Sequence, residues 1–162
     1  MKITAQEEYG IRLLLRIGGN PSIEGLTISQ LSRQEGLSPH YVAKLCRVLR
    51  IAGLIQSSRG KEGGYTLARP AEEIRLNQVL TILGGKLYSK EFCRNHSGLL
   101  KNCSHQSSCP VRSVWQLVQQ AVDQVLDGFT LKDLLILESS NNGLQKDLSP
   151  LLSETSSAFS GK

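Results

Sequence analysis

The chain has no apolar run long enough to cross a bilayer. Its start, MKITAQEEYGIRLLLRI, places acidic residues where a secretory signal needs an uninterrupted greasy segment. The expectation is therefore a cytoplasmic protein with no membrane partner. No internal repeat is visible, which excludes solenoid and propeller architectures. Nothing resembles a phosphate-cradling loop between a strand and a helix, and no nucleophile–base constellation stands out, so no catalytic residue is assigned and an enzyme is not expected. Cysteine is scarce, at four in 162 residues. In a reducing compartment these four are not expected to form structural disulfides. Yet three of them fall within one polar stretch, CRNHSGLLKNCSHQSSCP, residues 93–110.

The remaining composition is that of a folded domain, with 40% hydrophobic residues. Lys and Arg number 19 against 14 Asp and Glu, a formal charge of +5, and the pI is near 9.2. That balance is compatible with nucleic acid as a partner without requiring it.

Helical spacing of Tyr9, Leu13, Leu14 and Ile17 predicts a helix over residues 1–18, ended by Gly18-Gly19-Asn20-Pro21. In LTISQLSRQEGLSPHYVAKLCRVLRIAGLI, Thr27 and Gln30 form a capping box that opens a short helix through Glu35. Gly36 suits a tight turn. Ser38 as N-cap and Pro39 behind it open a second helix, with Val42, Leu45, Val48, Leu49 and Ala52 on one side and His40, Lys44 and Arg47 on another. This is a helix-turn-helix pattern. Two short strands follow, Leu54 to Ser58 and Tyr65 to Ala68, joined by a glycine-rich turn carrying Arg59 and Lys61. The order predicts a winged helix.

Residues 76–83 read as a further short helix. From Pro110, the apolar residues Val111, Trp115, Val118, Val122, Val125 and Phe129 recur at spacings of 4, 3, 4, 3 and 4, a seam suited to pairing with a second copy. A short helix capped by Thr130 follows. The expected fold is mainly α with a small β-hairpin wing, that is, a winged helix-turn-helix plus a long C-terminal dimerisation helix. The expected divisions are a DNA-binding domain over residues 1–84, a cysteine-rich loop over 85–109, the dimerisation helix and short terminal helix over 110–138, and a mobile tail over 139–162.

Cys93, Cys103 and Cys109 are separated by nine and five residues. Thiolates ligate iron–sulfur clusters and zinc alike, and a polar loop can wrap either; redox-active thiols are the alternative. The spacing alone leaves the choice open. Cys46, within the second helix of the pair, reads as a small core residue.

The opening MKIT…EYGIR, the helix pair, the wing SSRGKEGGYTLAR and the cysteines before CPVRSVW resemble, over about residues 1–135, the bacterial winged-helix regulators of the IscR/NsrR/RirA type, the Rrf2 family. The resemblance implies a homodimer on a palindromic double-stranded operator, expected to act as a repressor, and favours an iron–sulfur cluster at Cys93, Cys103 and Cys109. It leaves two-iron and four-iron forms open. Some relatives use a histidine three residues past the last cysteine, but Arg112 stands there. Glu8, reaching over from the other subunit, is the first choice for a fourth ligand, followed by His105 and then His96. If the second helix of the pair enters the major groove, His40, Tyr41 and Lys44 face base edges, while Ser38 and Arg47 meet phosphates and Arg59 suits the minor groove.

Overall fold

A computed structural model of the chain describes residues 3–58, 63–97, 99–103, 105 and 109–140. Its elements in chain order are α1 (Ala5–Gly19), α2 (Ile28–Glu35), α3 (Pro39–Ile51), β1 (Ile55–Ser57), β2 (Tyr65–Leu67), a short 3-10 turn (Ala71–Glu73), α4 (Leu76–Gly84), α5 (Lys90–Asn95), α6 (Pro110–Asp127) and α7 (Leu131–Ser140). The fold is mainly helical with a two-stranded antiparallel wing, as the sequence predicts.

The first helix starts later than its apolar pattern suggests. Thr4 is its N-cap, accepting from the Glu7 N–H, while the Glu7 carboxylate accepts from the Thr4 N–H at 2.7 Å. This reciprocal box satisfies two backbone donors that have no partner within the helix, and so sets the start at Ala5. Leu13, Leu14 and Ile17 of α1 meet Leu31 of α2, Val42, Leu45, Cys46 and Leu49 of α3, and Leu54 and Ile55 at the wing root in one core. Each fully buried leucine there contributes about 1.5–3 kcal/mol of transfer free energy. Gly10 lies against the side chain of Leu83, so α4 packs where a larger residue on α1 would collide.

The caps of α2 and α3 are as expected: Thr27 with Gln30, and Ser38 accepting from the Tyr41 N–H at 3.2 Å. Gly36 ends α2 in the left-handed conformation, φ 66°, which favours a residue without a Cβ. The wing pairs Ile55 with Leu67, Gln56 with Thr66 and Ser57 with Tyr65. Its root is tied to the segment before α2: Leu26 and Tyr65 exchange backbone bonds at 3.1 and 2.8 Å, and the Ser58 hydroxyl donates to the Glu24 carbonyl at 2.9 Å. Arg59 and Lys61 lie outside the described residues.

Three readings of the C-terminal half need correction. The stretch over 85–109, read as a loop throughout, contains α5, held by Phe92 packing on Tyr88 and stacking on His96. Phe129, read as the last member of the seam, follows the end of α6, and the Phe129 carbonyl accepts from the Leu76 N–H at 3.0 Å. The chain then turns back. Leu131 is fully buried, and α7 packs along α1 and the 3-10 turn instead of staying beside the long helix. Ser139 and Ser140, expected as the start of a mobile tail, belong to the last turn of α7, and residues 141–162 lie outside the described ones.

Candidate nucleic-acid interface and thiol site

The outer face of α3 is basic because its inner face is fully used. Val42, Leu45, Cys46 and Leu49 point inward, which leaves His40, Lys44 and Arg47, at spacings of four and three residues, on one exposed stripe. Ser38, at the start of α3, is exposed as well. Arg50 and Ile51 continue the exposed surface to the end of the helix, and Arg33 adds a cation on α2. Arg50 was not among the residues expected from sequence, though its position three residues past Arg47 carries the signal. Cys46 is fully buried, and burial pushes its thiol from 9.0 up to about 11, which makes it an inert core residue.

Tyr41 differs from its neighbours on α3. It is half-buried, and its ring meets that of Tyr9 edge-on, with centroids 6.1 Å apart and planes at 90°. Tyr9 also carries the Arg12 guanidinium 5.4 Å from its ring centroid. The Glu35 carboxylate, at the end of α2, accepts from Nε of Arg12 and Nε of Arg16, both at 2.6 Å, and its side chain is only 1% exposed. The bond to Glu35 raises the Arg16 pKa. No sequence pattern announces this clamp, since its members lie 19 and 23 residues apart.

Cys93, Cys103 and Cys109 are free and half-exposed. Cys109 is the N-cap of α6, and its Sγ accepts from the Arg112 N–H at 3.4 Å. Cys93, on α5, has its Sγ 3.5 Å from the Tyr88 hydroxyl. That hydroxyl, and then the Arg112 guanidinium, hold the Cys93 thiol below its ordinary range, and Cys93 in turn raises the Tyr88 and Arg112 pKa values. A cavity of about 250 Å³ lies among Tyr88, Cys93, Arg112 and Gln116. Arg112 also donates to the His105 carbonyl at 3.4 Å, so one residue gathers Cys93, Cys109 and the His105 backbone around it.

The candidate fourth ligands are placed differently from one another. The His96 ring stacks on Phe92, with Nδ1 2.9 Å from the Phe92 carbonyl oxygen. His105 is exposed. Glu8 is exposed on α1, beside a groove of about 350 Å³ that Ile3, Ile11, Leu87, Val122 and Leu126 also line. Among the described residues, no three His, Cys, Asp or Glu side chains converge on a point that could hold a metal ion. By chemistry the donor set nonetheless fits an iron–sulfur cluster: three soft thiols free of disulfides and all reachable from solvent.

The long helix α6 turns a polar side to its own chain. Gln119 is buried, and its carbonyl oxygen accepts from the Tyr88 N–H at 2.8 Å while its amide donates to Asp123 at 2.8 Å. Asp123 in turn pairs with Lys86 at 3.3 Å. Part of its apolar face is open: Val111 is 60% exposed, Trp115 43% and Val125 40%, while Val118 and Val122 are half-buried and Val122 lines the groove beside α1. Val114 and Leu117, outside the predicted seam, are 55% and 58% exposed and widen that face.

Comparison with known proteins converges on one group. A family model described as "Rrf2: Iron-dependent Transcriptional regulator" matches residues 3–136. Protein rrf2 of Nitratidesulfovibrio vulgaris is 35% identical over 135 residues, covering 83% of this chain and 87% of that protein. The regulator IscR of Aliivibrio salmonicida is 26% identical over 136 residues, covering 84% of this chain and 78% of that protein. The structure of CymR, the global cysteine regulator of Bacillus subtilis, superposes with a TM-score of 0.64 at 29% identity, covering 83% of this chain and 96% of that one. IscR of T. potens gives a TM-score of 0.60 at 29% identity, covering 83% and 86%.

Proposed function

Because this chain belongs to the Rrf2 family of transcriptional regulators, we propose that it is a homodimeric operator-binding repressor controlled by an iron–sulfur cluster on Cys93, Cys103 and Cys109. The observation that carries the reading is the set of three free, half-exposed thiols carried by α5, the segment after it and the N-cap of α6, in a family described as iron-dependent. A bound cluster supplies an inorganic core that oxidants, nitric oxide or iron shortage can alter. The chain's own residues do the rest. Arg112 lies beside two of the thiols and offsets their negative charge. Glu8, on the groove bordering α6, is the fourth ligand across the dimer, with His105 as the alternative.

On the DNA side, α3 enters the major groove. His40 and Lys44 face base edges, Ser38 and Arg47 meet phosphates, and Arg59 reaches the minor groove. The apolar seam of α6, with Val111, Trp115 and Val125 exposed and Val118 and Val122 half-buried beside them, packs against its copy in a second subunit, so that two α3 helices address the two halves of a palindrome.

One observation favours a second reading, in which the thiols respond directly to oxidants. Cys93 sits against the Tyr88 hydroxyl and Arg112, an environment that promotes thiolate without any metal. Anaerobic purification separates the two. The cluster reading expects brown protein with iron and acid-labile sulfide, colourless after Cys93→Ala, Cys103→Ala or Cys109→Ala and unaffected by Cys46→Ala. Colourless, metal-free protein that loses operator binding after peroxide supports the second reading, and stoichiometric zinc without sulfide sinks the first.

A further inference from the structure

We infer that Tyr9 and Tyr41 form a positioning contact that sets how α3 is presented to DNA, and that Tyr41 is not itself a base reader. The inference rests on the reading of α3 as the helix that enters the major groove. The side chains of His40 and Lys44 are exposed, whereas the ring of Tyr41 between them is half-buried and lies edge-on to Tyr9. An edge-to-face pair holds a defined angle, because the positive ring edge of one partner meets the negative face of the other. Tyr41 is also the residue whose backbone N–H is capped by Ser38, so its ring and the first turn of α3 move together. That first turn carries His40.

Tyr9 is itself held in place. The Arg12 guanidinium lies over its ring, and Arg12 is fixed in turn by the buried Glu35 carboxylate, which Arg16 also grips. A continuous array thus runs from the end of α2, through α1, to the first turn of α3. Both helices of the helix-turn-helix are fastened to α1, α2 by charge and α3 by an aromatic edge. The polar end of the array is nearly inaccessible, since Glu35 is 1% exposed at its side chain.

The test uses full-length dimer purified without oxygen and a randomised duplex library, from which wild-type protein enriches its preferred sequence. Affinity for that sequence and for random duplex is then measured across a salt series for Tyr9→Leu, Tyr9→Phe, Tyr41→Leu and Tyr41→Phe. Leucine keeps the apolar packing and removes the ring edge, whereas phenylalanine keeps the edge. The expected result is a loss of about three- to tenfold per half-site for each leucine variant on the selected sequence, the scale of one aromatic pair, with random-duplex binding and salt slope unchanged. Both phenylalanine variants should bind as wild type, and the double leucine variant should lose no more than either single one. Tyr9 stands on α1 and not on the exposed stripe, so a specific loss there cannot come from removing a base-reading side chain. If Tyr9→Leu leaves the selected sequence bound as tightly as before, or if Tyr41→Phe changes which bases are enriched, the inference is overturned while the DNA-binding reading stands. If wild-type protein enriches no sequence, both fall together.

Discussion

Gln119 directs its side-chain carbonyl to the backbone N–H of Tyr88 at 2.8 Å, and this bond decides which side of the long helix faces its own chain. A buried amide must be partnered, and here the partner is the segment between α4 and α5. With Gln119 fixed inward, α6 leaves Val111, Val114, Trp115, Leu117 and Val125 exposed.

The protein should therefore sediment as a dimer at micromolar concentration. Leu117→Glu is the cleanest disruption, because Leu117 is 58% exposed in the protomer and its replacement costs the protomer little. Two symmetric carboxylates buried at the interface should weaken association by on the order of a hundredfold or more. Sedimentation of the wild type as a monomer would refute the pairing of α6.

Cys46 and Cys93 should differ sharply in alkylation. At neutral pH in the native state, a maleimide or iodoacetamide probe should label Cys93 readily and leave Cys46 untouched, as mass spectrometry can read. The Cys46 pKa, about 11 when folded against 9.0 ordinarily, also has a stability consequence. The neutral thiol's contribution is fully present below pH about 9 and is lost as pH rises toward about 11, because the unfolded chain ionises first. Chemical denaturation of Cys46→Ala across that window should show a smaller pH-dependent loss than wild type.

Replacement of Glu35 should cost stability out of proportion to its size. Glu35→Ala leaves two guanidiniums facing each other without their shared carboxylate, and a loss of about 2–4 kcal/mol in urea unfolding is expected. A change below about 0.5 kcal/mol would mean that the clamp is an ordinary surface pairing.

Arg47→Ala should reduce the slope of log K against log[salt] by about one for every phosphate the variant no longer neutralises, with a similar loss of affinity on operator and random DNA. Lys44→Ala, which removes a side chain at the base edges, should weaken operator binding more than random binding. A slope unchanged by Arg47→Ala would mean that this part of the exposed stripe of α3 does not meet the backbone.

The sequence by itself determined the helix-turn-helix, the wing hairpin and the position of the thiols. Caps are local chemistry: Thr27 and Gln30, or Ser38 and Tyr41, are three residues apart, and the bonds that start a helix depend on nothing further away. The strands of the wing were legible for the same reason, since the turn that joins them lies between them in the chain. Tertiary structure alone decided the direction in which side chains at ambiguous positions point. Tyr41 lies beside two exposed residues on α3, and only the arrival of α1 turns its ring toward Tyr9. Glu35 reads as a surface residue at the end of a short helix until two arginines from α1 enclose it. Gln119 sits in an apolar-patterned helix with nothing to mark it, 31 residues from the backbone group it satisfies. The return of α7 onto α1 depends likewise on Leu131 finding a core built from the first half of the chain. Periodicity reports which residues share a face of a helix, but what covers that face is set by groups distant in sequence, which meet only when the helices pack.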